Sequence, residues 1–301
     1  MSEEGSDNDN GALATGRTPI VALIRGVPPE FLAIGSMLSV QLGAALTVPV
    51  MAVIGPAATT ALRLFWAGII LAAIVRPGFR TMTRRQWLAA GGLGIVITVL
   101  TLCYFAAISR IPMGPATAIE FLGPLGVALA GTRRFRHLVL AAVAGIGVLL
   151  LTREHSRWSV DLGGIVFAAV AALGWAGYII LMKKVGASFS GLQGLSIALL
   201  VAAVAAMPVS FVDKGNVLTL VPLLSTIGLG LLSPLLPYAL EMMALRRMGT
   251  RAFGIFMSME PAISAVLGFA ILAQRLSLRQ ICGIGCVVAA SAITAAESRN
   301  S

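Results

Sequence analysis

Charge is what this chain has least of. Charged side chains make up 11% of its 301 residues, less than half the share usual in a soluble domain. With 58% hydrophobic residues beside them, there is too little polarity to cover two soluble domains of ordinary size, and that reading is excluded. Cysteine is scarce too. Cys103, Cys282 and Cys286 all lie in apolar runs, so neither a disulfide framework nor a zinc site has the spacing it needs. The two histidines, His137 and His155, are placed in separate loops on opposite faces, which excludes a two-histidine metal or acid–base site. No G-x-S-x-G, H-E-x-x-H or Walker loop occurs, so enzyme machinery, a metal and a cofactor are all absent from the expectation. The net charge of +10 sits in short basic clusters between apolar runs. Without interleaved aromatics these are loop anchors at a membrane face, and nucleic acid is excluded as a partner.

What the chain has in abundance is long apolar runs. Crossing about 30 Å of hydrocarbon takes about 20 helical residues, and the runs here are too long and too uniform for barrel strands. The expectation is an all-α integral membrane protein of ten helices, near 31–54, 57–75, 87–108, 114–131, 138–152, 162–182, 191–212, 221–245, 252–273 and 280–296. Residues 1–29 form a polar tail that cannot bury enough surface to order itself, and they lack the basic start and apolar core of a signal peptide. With the N-terminus inside, fifteen basic residues fall in inner segments and six outside: Arg110, Arg153, Arg157, Lys214, Arg275 and Arg279. That excess puts both termini in the cytoplasm.

The two halves repeat weakly. Leu42-Gly43 followed by Gly55 matches Leu173-Gly174 followed by Gly186, Arg110 with Pro124 matches Arg247 with Pro261, and Gly145-Ile146-Gly147 matches Gly283-Ile284-Gly285. Units of 30–153 and 162–296 follow, with a short tail at 297–301. Five spans is an odd number, so the second unit lies inverted relative to the first, an arrangement that places a substrate site near the midplane.

Four ionisable residues fall within spans: Arg63, Glu120, Glu241 and Glu260. A charge at the bilayer centre costs at least about 2.5 kcal/mol, so such residues face a cavity or a partner. Glu241, near the end of its span, can alternatively reach interfacial water. By helix rise Arg63 and Glu120 both lie roughly 9 Å deep, as candidates for an ion pair, direct or across one water, and Glu260 roughly 12 Å from the other face. Pro124, Pro234, Pro237 and Pro261 stand within about two turns of the glutamates. A proline inside a helix frees carbonyls that can bind a polar substrate, although each alone is also an ordinary kink. Tyr238 with Glu241, and Thr60 with Arg63, share helix faces. Trp175 and Tyr178 share another, lining either the pathway or a core. Gly164, Ala168, Ala172 and Ala176, and Ala198, Ala202 and Ala206, recur every four residues and permit close helix approach.

At Thr60-Ala61-Leu62-Arg63-Leu64, Glu120-Phe121-Leu122-Gly123-Pro124, Leu236-Pro237-Tyr238-Ala239-Leu240-Glu241 and Met257-Ser258-Met259-Glu260-Pro261, the chain resembles the EamA branch of the drug/metabolite transporter superfamily, and within it the bacterial threonine/homoserine exporters. The resemblance implies two inverted five-helix repeats in the inner membrane and export of an amino acid or related metabolite against inward proton flow. No oligomeric state is implied. One arginine and three glutamates suit a zwitterion, pairing with its carboxylate and ammonium respectively. Proton coupling falls to Glu260, with Glu241 as its partner. Efflux of lipophilic cations is the competing reading, and a membrane-embedded enzyme a weaker one. Reporter fusions after Ser301 and within residues 76–86 should report cytoplasm; a periplasmic signal at either would overturn the ten-span topology.

Overall fold

The computed structural model describes residues 26–129, 135–152, 161–213, 220–248, 253 and 256–297. Most of the expected polar tail, His155, and the residues after Glu297 lie outside that set. Regular structure among the described residues is helical throughout: α1 (Pro29–Ile54), α2 (Pro56–Val75), α3 (Arg84–Ile108), α4 (Met113–Glu120), α5 (Leu122–Leu129), α6 (Phe135–Thr152), α7 (Leu162–Ser188), α8 (Gln193–Ser210), α9 (Leu220–Gly230), α10 (Leu236–Arg247), α11 (Glu260–Leu272) and α12 (Leu278–Glu297). Among the described residues six stretches are long and apolar enough to cross a membrane: α1, α2, α3, α7, α8 and the run Val221–Leu245 that joins α9 to α10. Large apolar side chains such as Leu173 (75% exposed) and Val204 (74% exposed) cover the outside of the bundle, where hydrocarbon rather than water is the matching solvent. This is a multi-pass membrane protein.

Three expected spans are interrupted, and proline explains each interruption. The fourth divides at Phe121 into α4 and α5, because Pro124 has no N–H for the Glu120 carbonyl. The eighth opens between α9 and α10 into a wide turn, Leu231–Leu235, in which Ser233 is extended (φ −163°, ψ 115°). In the ninth, α11 begins only at Glu260, with Pro261 in its first turn. The prolines therefore start helices rather than kink continuous ones: Pro237 likewise sits in the first turn of α10, where a missing donor costs nothing. A smaller correction concerns His137, which falls within the first turn of α6 and not in a loop.

Packing is organised by small residues. Ala198, Ala202 and Ala206 of α8 are fully buried where α8 meets α2 and α3, as their spacing anticipates. Helix α7 packs on α3, α4 and α5; α10 and α11 pack on α1; α9 packs on α2; α4 packs on α11 and α6 on α12. At the start of α2, Gly55 adopts φ +89° to reverse the chain after Ile54, a conformation with no penalty for glycine. Asp213, just beyond α8, accepts a hydrogen bond from the Ala58 N–H at 2.8 Å and so serves the open N-terminus of α2.

Gly123 is the tightest of these approaches: a Cβ there would lie 2.0 Å from the Ala172 carbonyl oxygen on α7. Gly123→Val should therefore force α5 from α7 and cost about 1–3 kcal/mol or more, read as a lower unfolding temperature in detergent. Gly126→Ala, with nothing near its added methyl, should leave that temperature unchanged.

Candidate functional site

An internal cavity lies where the interrupted helices meet. Its wall takes Val40, Gln41 and Ala44 from α1, Leu100, Thr101, Tyr104 and Phe105 from α3, Glu120 from α4, Trp175 and Tyr178 from α7, Ser233 and Pro234 from the wide turn, Tyr238 and Glu241 from α10, and Glu260 from α11. All three tyrosines of the chain line it. The three glutamates are 7%, 4% and 3% exposed in chain order, and among the described residues no lysine, arginine or histidine lines the wall.

Each carboxylate has different company. Glu241 is fully engaged, accepting from Ser36 Oγ at 3.1 Å on Oε1 and from the Tyr178 hydroxyl at 2.8 Å on Oε2. Its alternative placement in interfacial water is thus set aside. Glu260 accepts from Gln41 Nε2 at 2.9 Å on one oxygen, while its other oxygen is buried without a partner. Glu120, the last residue of α4, accepts no hydrogen bond from the described residues. Behind Gln41 runs a chain of hydroxyls from three helices. The Tyr104 hydroxyl reaches Gln41 Oε1 at 3.5 Å and Thr117 Oγ1 at 2.9 Å, and Thr117 reaches Ser264 Oγ at 2.8 Å.

Arg63 does not form the expected direct ion pair with Glu120; among the described residues the one ion pair within 4.0 Å joins Arg110 to Asp161. Only 1% exposed, Arg63 lies behind the cavity wall. Its Nε and Nη2 donate to the Ser233 carbonyl at 3.1 and 2.6 Å, and its guanidinium carbon stands 4.3 Å from the centre of the Phe105 ring. Pro237 is the residue whose N–H would have served that carbonyl in a continuous helix, so the arginine replaces a missing backbone donor. Ser39 Oγ does the same for the Leu232 carbonyl at 2.5 Å.

Residues 28–153 and again 162–296 match the EamA-like transporter family. The chain belongs to that family. It is 35% identical over 267 residues to the threonine/homoserine exporter RhtA of Escherichia coli strain K12, covering 87% of this chain and 90% of that one. The protein of the same name from Salmonella typhimurium strain SL1344 is 35% identical over 260 residues, covering 85% and 87% of the two chains. A crystal structure at 17% identity shares the fold with a TM-score of 0.62, over 90% of this chain and 98% of the other.

In this EamA-like transporter the structure gathers Glu120, Trp175, Tyr178, Tyr238, Glu241 and Glu260 around one space. Trp175 meets Phe121 edge-on at 5.4 Å, and the Tyr178 and Tyr238 rings lie 5.2 Å apart. Thr60 stays out of the wall, its hydroxyl donating at 2.7 Å to the Pro56 carbonyl of its own helix. Pro124, Pro237 and Pro261 act through the backbone breaks. Gln41, Tyr104, Thr101 and Ser36 were not among the sequence candidates. Gln41 is the one amide in the first long apolar run, and that isolation was the available signal.

Removing the arginine strands a buried carbonyl at a cost of about 1–3 kcal/mol. Arg63→Met should lower the unfolding temperature and abolish transport together. Arg63→Lys, which lacks the planar fork, should fall between the two; full stability in Arg63→Met would remove the wall-holding role.

Proposed function

We propose that the chain is a secondary exporter of a small zwitterionic amino acid of the threonine or homoserine type, driven outward across the inner membrane by inward proton flow. The observation that carries this reading is the cavity itself: three buried carboxylates and a ring of hydroxyls, contributed by helices before and after residue 153. Carboxylates suit an ammonium and hydroxyls suit a polar side chain. The names and coverage of the relatives point the same way, toward transport and away from a membrane-embedded enzyme.

The proposed architecture is ten spans in two inverted repeats, 30–153 and 162–296, with both termini cytoplasmic. Its support lies in how the helices pair. Exchanging the first and second units turns the α3–α7 contact into α10–α1, the α5–α7 contact into α11–α1, and the α3–α8 contact into α9–α2, all of which occur. The glycines matched in sequence take equivalent places: Gly174 abuts Leu100 on α3, Gly43 abuts Ser233 beside α10, and Gly147 abuts the Gly283 carbonyl. A site between such repeats, lined by broken helices, is a recurrent plan for alternating access.

Glu260 is the proposed coupling group. It is partnered on one side only and heads a helix that begins at the break. Loading or releasing a proton there changes what Gln41 and the first turn of α11 can bond, which gives the two access states different energies. In the cation-efflux reading the substrate would be a lipophilic cation, and the lack of any basic side chain among the described residues of the wall favours it.

Purified protein in vesicles should export labelled threonine or homoserine when a pH gradient is imposed and should not move lipophilic cations. The reverse preference would replace the amino-acid reading with cation efflux. Glu260→Gln should retain substrate exchange yet lose the response to the pH gradient. Gradient-driven export with an unchanged pH profile in that variant would move the coupling role elsewhere.

A further inference from the structure

Partner accounting separates the three cavity carboxylates by task. Each oxygen of Glu241 already accepts a hydroxyl donor, so both have a partner within the protein. One oxygen of Glu260 is taken by Gln41, and the other is buried without a partner. Glu120 alone faces the cavity with no protein donor. It is nevertheless 93% withdrawn from solvent, being 7% exposed, and an ionised carboxylate so placed requires a partner.

The described residues supply none. Arg63 spends its Nε and Nη2 on the Ser233 carbonyl and lies behind the wall. The partner has to arrive through the cavity. Phe105, Tyr104 and Trp175 line the same space, and aromatic faces attract cations. A ligand carboxylate, in contrast, finds no basic side chain among the described residues of the wall and three glutamates around it.

We propose that Glu120 is the anchor for the ligand's ammonium group, and that recognition rests on this ammonium far more than on the ligand's carboxylate. The assignment rests on the exporter reading for the identity of the ligand but not for the chemistry of the anchor. Glu241 then holds α1, α7 and α10 together, and Glu260 is left free to couple.

The test uses the full-length protein in lipid nanodiscs, with labelled threonine as the probe at one fixed pH. Threoninol and threonine amide, which keep the ammonium and lose the carboxylate, should compete within about tenfold of threonine. N-acetylthreonine and the deaminated dihydroxy acid should not compete. Glu120→Gln, checked for folding by thermal unfolding, should weaken threonine binding roughly tenfold to a hundredfold, the worth of a charge-assisted hydrogen bond. Should that variant fail to fold, Glu120→Asp keeps the charge one methylene further back and should bind more weakly while still rejecting N-acetylthreonine.

Threonine bound at wild-type affinity by Glu120→Gln, or by Glu120→Asp where the glutamine variant does not fold, overturns the anchor and leaves the exporter reading standing, as does equal competition by N-acetylthreonine. A wild-type protein that ignores threonine but binds tetraphenylphosphonium through Glu120 overturns the exporter reading and keeps the anchor. Binding of neither overturns both.

Discussion

Inside a bilayer a backbone carbonyl without a donor is far more costly than at an aqueous surface, and the wide turn at Leu231–Leu235 produces two of them. Pro237 withholds the donor from Ser233, and the extended Ser233 backbone breaks the helical register around Leu232. Arg63 from α2 and Ser39 from α1 supply the replacements. Those bonds fix where α1 and α2 stand relative to the turn, and so they fix the wall to which Ser233, Pro234 and Phe105 belong. Arg63 is the side chain best suited to this place: its fork gives two bonds to one oxygen, and its flat face covers an aromatic ring. A cation that would otherwise be costly in the membrane becomes the strut of an open helix.

The same accounting organises the polar interior. Ser36, Tyr178, Gln41, Tyr104, Thr117 and Ser264 come from α1, α3, α4, α7 and α11, and each spends its donors or acceptors on another member or on a carboxylate. Networks satisfied this fully rigidify what they join. Outside the wall, Arg63 Nη1, Trp66 Nε1 and Ser196 Oγ are buried without a partner; among the groups that line the cavity, unsatisfied capacity lies at Glu120 and at one oxygen of Glu260, both at helix termini beside the breaks. A transporter needs its capacity there, because ligand and proton must find partners that the protein has not already taken.

Much of this was legible in the sequence, for identifiable reasons. Span positions follow from the need to satisfy the backbone in lipid, so α1, α2 and α3 begin and end within a few residues of their expected limits. Charged residues in apolar runs are conspicuous, and all three glutamates do line one space. Helix rise gave Arg63 and Glu120 a common depth but says nothing of azimuth, and the arginine turned toward a carbonyl that only the three-dimensional break exposes. Pro124 and Pro261 flagged the right places, yet a proline's position in a run does not tell a kink from a fresh start. Thr101, Tyr104 and Ser36 escaped notice because uncharged hydroxyls are unremarkable in membrane helices, where they can bond their own backbone, as Thr60 does.

Asymmetry between the proposed repeats explains why the two end carboxylates differ. The register that pairs Arg110 and Pro124 with Arg247 and Pro261 places Gly123 opposite Glu260 and Met257 opposite Glu120. Gly123 has no room for a side chain, since the Ala172 carbonyl of α7 occupies the space. A carboxylate in the first unit therefore cannot stand where Glu260 stands in the second, and it sits nearly one turn earlier, at the end of α4 instead of the head of α11. The two units thus present the cavity with one carboxylate at a helix C-terminus and one at an N-terminus. The macrodipole favours negative charge at the second and disfavours it at the first. A ligand cation would relieve that disfavour at Glu120 and have less to offer Glu260, so under the proposed inversion two copies of one fold would differ in affinity for the same positive charge.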